Sequence, residues 1–227
     1  MGKLWEKNYS LLSDIEEFTV GDDYILDNEL VKADVFSNIA HIKMLNSIGI
    51  LNDDETVKLK KSLGEILKLH KEGKFKINRN EEDVHTAIEN YLTKKNGAIG
   101  EKIHVGRSRN DQIISDLRLY SKDKLLLLGK SILVLSETLL RFSNKYKDVP
   151  MVGYTHSRKA MPSSVGLWAG AFLESLIDDL TVLRTSYILN DRSALGSAAS
   201  YGVNLKIDRE LLRKLLGFEK IQNNLLY

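Results

Sequence analysis

Three short polar stretches of the sequence carry residue types that could bind anions or move protons. Residues 100–112, GEKIHVGRSRNDQ, precede a long run with helical periodicity. Arg107 and Arg109 therefore stand beside a helix N-terminus, where unpaired N–H groups and the helix dipole already favour negative charge. A guanidinium grips a carboxylate through two parallel hydrogen bonds, which suits a dicarboxylate substrate. Asn110 can donate and accept, so it can hold a carboxylate and position a neighbour. The alternative reading of this stretch is that Asp111 caps the helix and the arginines are solvated. Residues 150–162 hold Thr155 and His156; an imidazole exchanges protons near neutral pH, and the threonine hydroxyl stands beside it. A lone loop histidine can equally be structural or simply exposed. Residues 195–202, LGSAASYG, are small enough for tight turns and close backbone approach to a ligand, or form a plain inter-helix turn.

Other combinations are poorer. His85 and Glu89 lie four apart on one helical face, as do His41 and Leu45, but neither pair has the further ligands a metal needs. No H-E-x-x-H, phosphate-cradling loop or dinucleotide fingerprint occurs, so neither a metal nor a cofactor is expected. Aromatics do not interleave with the basic residues, and Lys plus Arg (33) nearly balance Asp plus Glu (31) for a net charge of +2. Nucleic acid and anionic membrane are therefore not expected partners.

The elements that must position these stretches are helical. A first helix is expected over about 28–47, with Val31, Val35, Ile39, Ile42 and Leu45 spaced by three and four. Asn52 and Glu55 read as a capping box opening a second helix that carries Leu59, Leu63, Ile66 and Leu67 inward and stops at Gly73. A shorter helix presents Val84, Ile88 and Leu92. From Asp111 to Tyr146 there is no proline and only Gly129, and Ile114, Leu117, Ser121, Leu125, Leu128, Ile132, Leu135, Leu139 and Phe142 step by three or four, a near-heptad apolar stripe broken only by Ser121. Leu126, Leu127, Leu133 and Val134 lie off that stripe, so more than one face must be covered. Such a helix would span ~54 Å at ~1.5 Å per residue, longer than the roughly 45 Å diameter of a compact globule of this chain length. An elongated bundle whose apolar faces pack on other subunits resolves the mismatch. An irregular segment is expected after Pro150, then a second long helix over about 163–189 with Val165, Trp168, Phe172, Leu176, Leu180, Leu183 and Tyr187 at helical spacing. A short helix opens at Asp208 and closes at Gly217. No strand pattern is convincing, so the fold class is all-α, with a mostly helical domain at 1–110 and an incomplete long-helix bundle domain at 111–227.

Composition sets the outer bounds. The 227 residues include no cysteine, which rules out disulfides and thiolate chemistry and fits a reducing compartment. The apolar run around Leu125 to Leu128 is far short of the ~20 residues of a membrane-spanning helix. The opening Met1-Gly2-Lys3-Leu4-Trp5-Glu6 has no apolar signal core, and Glu6 stands where a myristoylation motif has Ser or Thr. A cytoplasmic protein is expected. The ending Leu225-Leu226-Tyr227 is apolar and reads as a chain cut mid-structure.

Taken together, several stretches resemble the argininosuccinate lyases of the fumarase/aspartase superfamily. They are Glu82-Asp83-Val84-His85-Thr86, the run Gly106 to Gln112 with Asp116-Leu117-Arg118-Leu119 after it, Gly153-Tyr154-Thr155-His156 and Leu195-Gly196-Ser197. Leu4-Trp5 and the helix over 27–45 also look like that family. The resemblance implies a central bundle of long helices in a homotetramer whose active sites draw on three chains. It implies reversible, cofactor-free elimination of argininosuccinate to arginine and fumarate in arginine biosynthesis. By the match, His156 is a catalytic acid/base residue acting with Thr155, while Thr155 and Asn110 contact substrate and Arg109 anchors a carboxylate. The family's flexible Gly-Ser loop, with its serine base, is not among these 227 residues, so the chain alone is expected to be inactive. Two departures stand out: Gly21 falls where many relatives have a substrate-contacting serine, and Ser157-Arg158-Lys159 replaces their Leu-Gln and small or basic residue. The alternatives are a non-catalytic, crystallin-like protein of the same fold or another superfamily lyase, such as one acting on adenylosuccinate.

Overall fold

The computed structural model describes residue 18 and residues 20–226; the expectations placed on residues 1–6 and on Tyr227 lie outside them. The chain is mainly helical and packs as two compact units. One combines the described residues up to Tyr120 with those from Asp191 onward, and the other is Ser121–Asn190.

In the first unit, α1 (Val31–Ser47) follows a single 3-10 turn at Asp27–Glu29. Its expected apolar residues Val31, Val35, Ile42 and Leu45 are fully buried, but so are Asp34, Ser37, Asn38 and His41 on the same helix. α2 (Asp53–Lys71) opens as the capping box requires: Asn52 Oδ1 accepts from Glu55 N at 2.9 Å, and Asn52 N donates to Glu55 Oε2 at 3.1 Å. Acidic residues fill its first turn and Lys68, His70 and Lys71 its last, matching the helix dipole. α3 (Val84–Asn96) starts at Asp83, whose carboxylate accepts from Thr86 N at 2.8 Å. α6 (Arg209–Leu216) starts at Asp208, which accepts from Leu211 N, and ends at left-handed Gly217. α1, α2 and α3 with α6 enclose a core of Ile42, Met44, Leu45, Leu59, Leu63, Ile66, Ile88, Leu92, Ile103, Leu195 and Leu212. A short parallel pair, Arg192–Ser193 beside Lys220–Ile221, closes the unit.

The long helix α4 (Arg109–Lys145) begins in the first unit and runs into the second. There it lies antiparallel to α5 (Val165–Asn190): Gly166 rests on Lys147 at one end and Gly129 on Leu183 at the other. A Cβ at Gly166 would stand 2.5 Å from Lys147 Cα, so only glycine permits this approach.

Between α4 and α5 the structure corrects the expected irregular segment. Residues 150–164 form an antiparallel hairpin, β1 (Pro150–Thr155) with β2 (Arg158–Ser164), and α5 starts at Val165 rather than near 163. The sequence hides it because Pro150 and Pro162, Gly153 and exposed polar residues break the alternation a half-buried strand shows. Gly153 marks a bulge, the register shifting between Val152 and Tyr154.

Candidate active site

The start of α4 is a reciprocal cap. Ser108 N donates to Asp111 Oδ1 at 2.9 Å, while Asn110 N donates to Ser108 Oγ at 3.3 Å. Asp111 is thus the inner member of the cap, three residues into the turn. Nor are the arginines solvated. Arg107 is buried and donates to Ile103 O at 2.7 Å. Arg109, with 27% of its side chain exposed, donates from Nη2 to Thr86 Oγ1 at 2.5 Å, and its Nη1 lies 3.2 Å from Asp83 and 3.6 Å from Glu82. Its guanidinium therefore meets two carboxylates of its own unit, and an incoming carboxylate would compete for the same N–H groups. Asn110 is exposed, and its side-chain amide has no partner among the described residues.

Beneath this surface lies a buried polar cluster that the sequence reading missed. Asp34 takes hydrogen bonds from Asn38 Nδ2, His85 Nδ1 and Gln112 Nε2, and Asp116 takes one from Ser37. It knits α1, α3 and α4 together, and its member His85 is the chain neighbour of Thr86, which Arg109 contacts. Asp34, Ser37, Asn38 and His41, spaced three and four apart on α1, were the available signal: a polar stripe on an otherwise apolar helix. Burial, and then the negative charge of Asp34, pushes the Asp116 carboxyl well above its ordinary range. Burial would raise Asp34 as well, but the positive charges of His85 and Arg107 outweigh it and hold Asp34 low. Burial and Arg107 push His41 well below its usual value, so it is neutral, with Nε2 on Val105 O at 2.9 Å.

Asp34, His85 and Asp116 each offer a ligand atom, all within 4.8 Å of one another, so these are the side chains that could hold a metal. The local chemistry fits an internal ion network better. Both oxygens of Asp34 are already occupied by donors, and the buried guanidinium of Arg107 supplies positive charge beside Asp34 and Asp116.

The third stretch joins the first. Asp111 Oδ2 accepts from Gly196 N at 3.0 Å and Ala198 N at 2.9 Å, docking the turn at 195–202 against the start of α4. Gly196, Ala198, Ser200 and Gly202 all have positive φ.

Thr155 and His156 belong to the other unit, at the exposed tip of the hairpin. Thr155 pairs with Arg158, leaving His156 (φ 50°) and Ser157 (φ 62°) as a two-residue left-handed turn of the kind that joins tight hairpins. Both side chains are unpaired among the described residues. The four residues singled out from the sequence thus fall into two groups, Arg109 with Asn110 in the first unit and Thr155 with His156 in the second.

The chain is 46% identical over 225 residues to the argininosuccinate lyase of Thermotoga neapolitana, covering 99% of this chain and 56% of that one. It is likewise 46% identical to the argininosuccinate lyase of Phocaeicola vulgatus, covering 99% of this chain and 50% of that one. The chain thus spans about half the length of the curated relatives it matches. Among solved structures, an EDDS lyase variant with bound fumarate superposes with a TM-score of 0.80 at 25% identity, over 96% of this chain and 43% of that one. A class II fumarase from Schistosoma mansoni shares the fold, with a TM-score of 0.72 at 15% identity over 93% of this chain and 49% of that one. A family model described as "Lyase" matches residues 18–226, and the chain belongs to that lyase family.

Proposed function

We propose that this chain carries argininosuccinate lyase chemistry, the reversible elimination of argininosuccinate to arginine and fumarate. The observation that carries the reading is 46% identity over 225 residues to relatives bearing that name. The chain also presents part of the side-chain set such a reaction calls for. A base removes a weakly acidic proton beside a carboxylate, and the doubly charged intermediate needs positive and hydrogen-bonding groups around it. An acid then protonates the departing guanidinium nitrogen. We assign acid–base work to His156, with Thr155 beside it, and substrate contacts to Thr155 and Asn110. Arg109, pinned by Asp83, Glu82 and Thr86, supplies the guanidinium for a substrate carboxylate.

We further propose that the protein works as a homotetramer in the cytoplasm, with each substrate site shared between copies. In support, large apolar side chains are exposed along both helices of the second unit, Leu127 at 61%, Leu133 at 58% and Trp168 and Phe172 at 52% each. No helix among the described residues is long and apolar enough to cross a membrane. The test is to supply argininosuccinate to the native protein containing this chain and follow fumarate by its absorbance, with adenylosuccinate as competitor. Fumarate release with argininosuccinate preferred supports the reading. Preference for adenylosuccinate points to another lyase, and no turnover of either points to a non-catalytic helical protein.

A further inference from the structure

We propose that Asp111 is a positioning residue that clamps the turn at 195–202 to the segment bearing Arg109 and Asn110, making the turn a wall of the same substrate site. The inference rests on the lyase reading above and extends it to a segment to which that reading gives no role. Asp111 is buried, and its two oxygens serve two loops at once: Oδ1 takes the Ser108 amide, and Oδ2 takes those of Gly196 and Ala198. Hydrogen bonds from N–H groups to an ionised carboxylate are about twice as strong as neutral ones, so one side chain fixes the spacing of both segments.

The turn is built to receive this carboxylate. Gly196 (φ 91°) and Ala198 (φ 50°) are left-handed, a backbone form that aims alternate N–H groups at one anion. A Cβ at position 196 would lie 2.8 Å from Ile207 Cγ2 and 2.9 Å from Arg209 Cγ, so the turn is wedged from behind by α6 and its lead-in while Asp111 holds it in front. Such a two-sided fit fixes a loop of small residues, which by themselves are conformationally free. Asn110 and Ala198 are thereby attached to the same carboxylate within a few bonds, Asn110 as the chain neighbour of Asp111.

The test compares Asp111→Asn, Asp111→Glu and Gly196→Ala in the native protein, reading hydrogen exchange at the Gly196 and Ala198 amides together with KM and kcat for argininosuccinate. Gly196→Ala displaces the turn while leaving the Asp111 side chain and its bond from Ser108 N unaltered, so it separates the clamp from the helix cap. The expected result for Asp111→Asn is exchange at both amides faster by roughly tenfold or more. KM should rise by about tenfold in Asp111→Asn and Gly196→Ala with kcat within about twofold of wild type, and Asp111→Glu should recover part of it. Faster exchange with unchanged KM in both variants would overturn the proposal, because the turn would then lie outside the site. Unchanged exchange in Asp111→Asn would overturn it too, as would a fall in kcat that merely tracks the folded fraction. Failure of the lyase reading looks different: the wild type itself would show no turnover.

Discussion

His156 is placed where its imidazole can be tested with little collateral damage. Its φ of 50° lies in the left-handed region, which asparagine tolerates better than most residues. His156→Asn should therefore keep the hairpin while lowering kcat by about 100-fold or more, the scale of a lost general acid or base; circular dichroism and fumarate release check the two halves. Ser157 (φ 62°) occupies the other turn position without being glycine. Ser157→Gly should raise stability by about 1 kcal/mol, read from thermal denaturation. Asp116 gives a pH signature. Its folded-state pKa is raised by burial and by Asp34, so it stabilises fully below the unfolded carboxyl range. That contribution is lost as pH rises from about 4 through the raised folded value. Asp116→Asn mimics the protonated acid, so urea midpoints should show the variant gaining on wild type as pH rises across that window.

At the scale of elements, local signals and long-range ones divide cleanly. The capping box at Asn52 and Glu55, the stop at Gly73, and the Asp208 to Gly217 helix were legible because a few adjacent residues determine each. Asn52→Ala should cost about 1 kcal/mol in a thermal melt. The hairpin was not legible, since its strands are exposed and bulged and its turn uses His-Ser rather than Asn-Gly. The site was legible as three separate stretches and no further. Nothing local says that Asp111 reaches the amides of Gly196 and Ala198, or that His85 meets Asp34, because those partners lie 85, 87 and 51 residues apart. Arg109 is read from the sequence as an anchor for a substrate carboxylate, and nothing local announces Asp83 and Glu82 as its companions.

Over the whole molecule, the 37-residue α4 and the exposed apolar side chains of the second unit are the features that bear on assembly. Leu127 and Phe172 each leave more than half their surface in water, and the proposed assembly would cover them. Leu127→Glu combined with Phe172→Glu should remove about 2 kcal/mol of association per buried side chain and shift sedimentation toward monomer without loss of helicity. Unchanged sedimentation would contradict the proposed role of this face in assembly.

The most direct test of the central claim is fumarate release from argininosuccinate by the native protein and by its His156→Asn variant, measured side by side. Steady turnover is expected from the first and a loss of about 100-fold or more in the second, with helicity and assembly intact. Equal turnover by both, or none by the native protein, would contradict it.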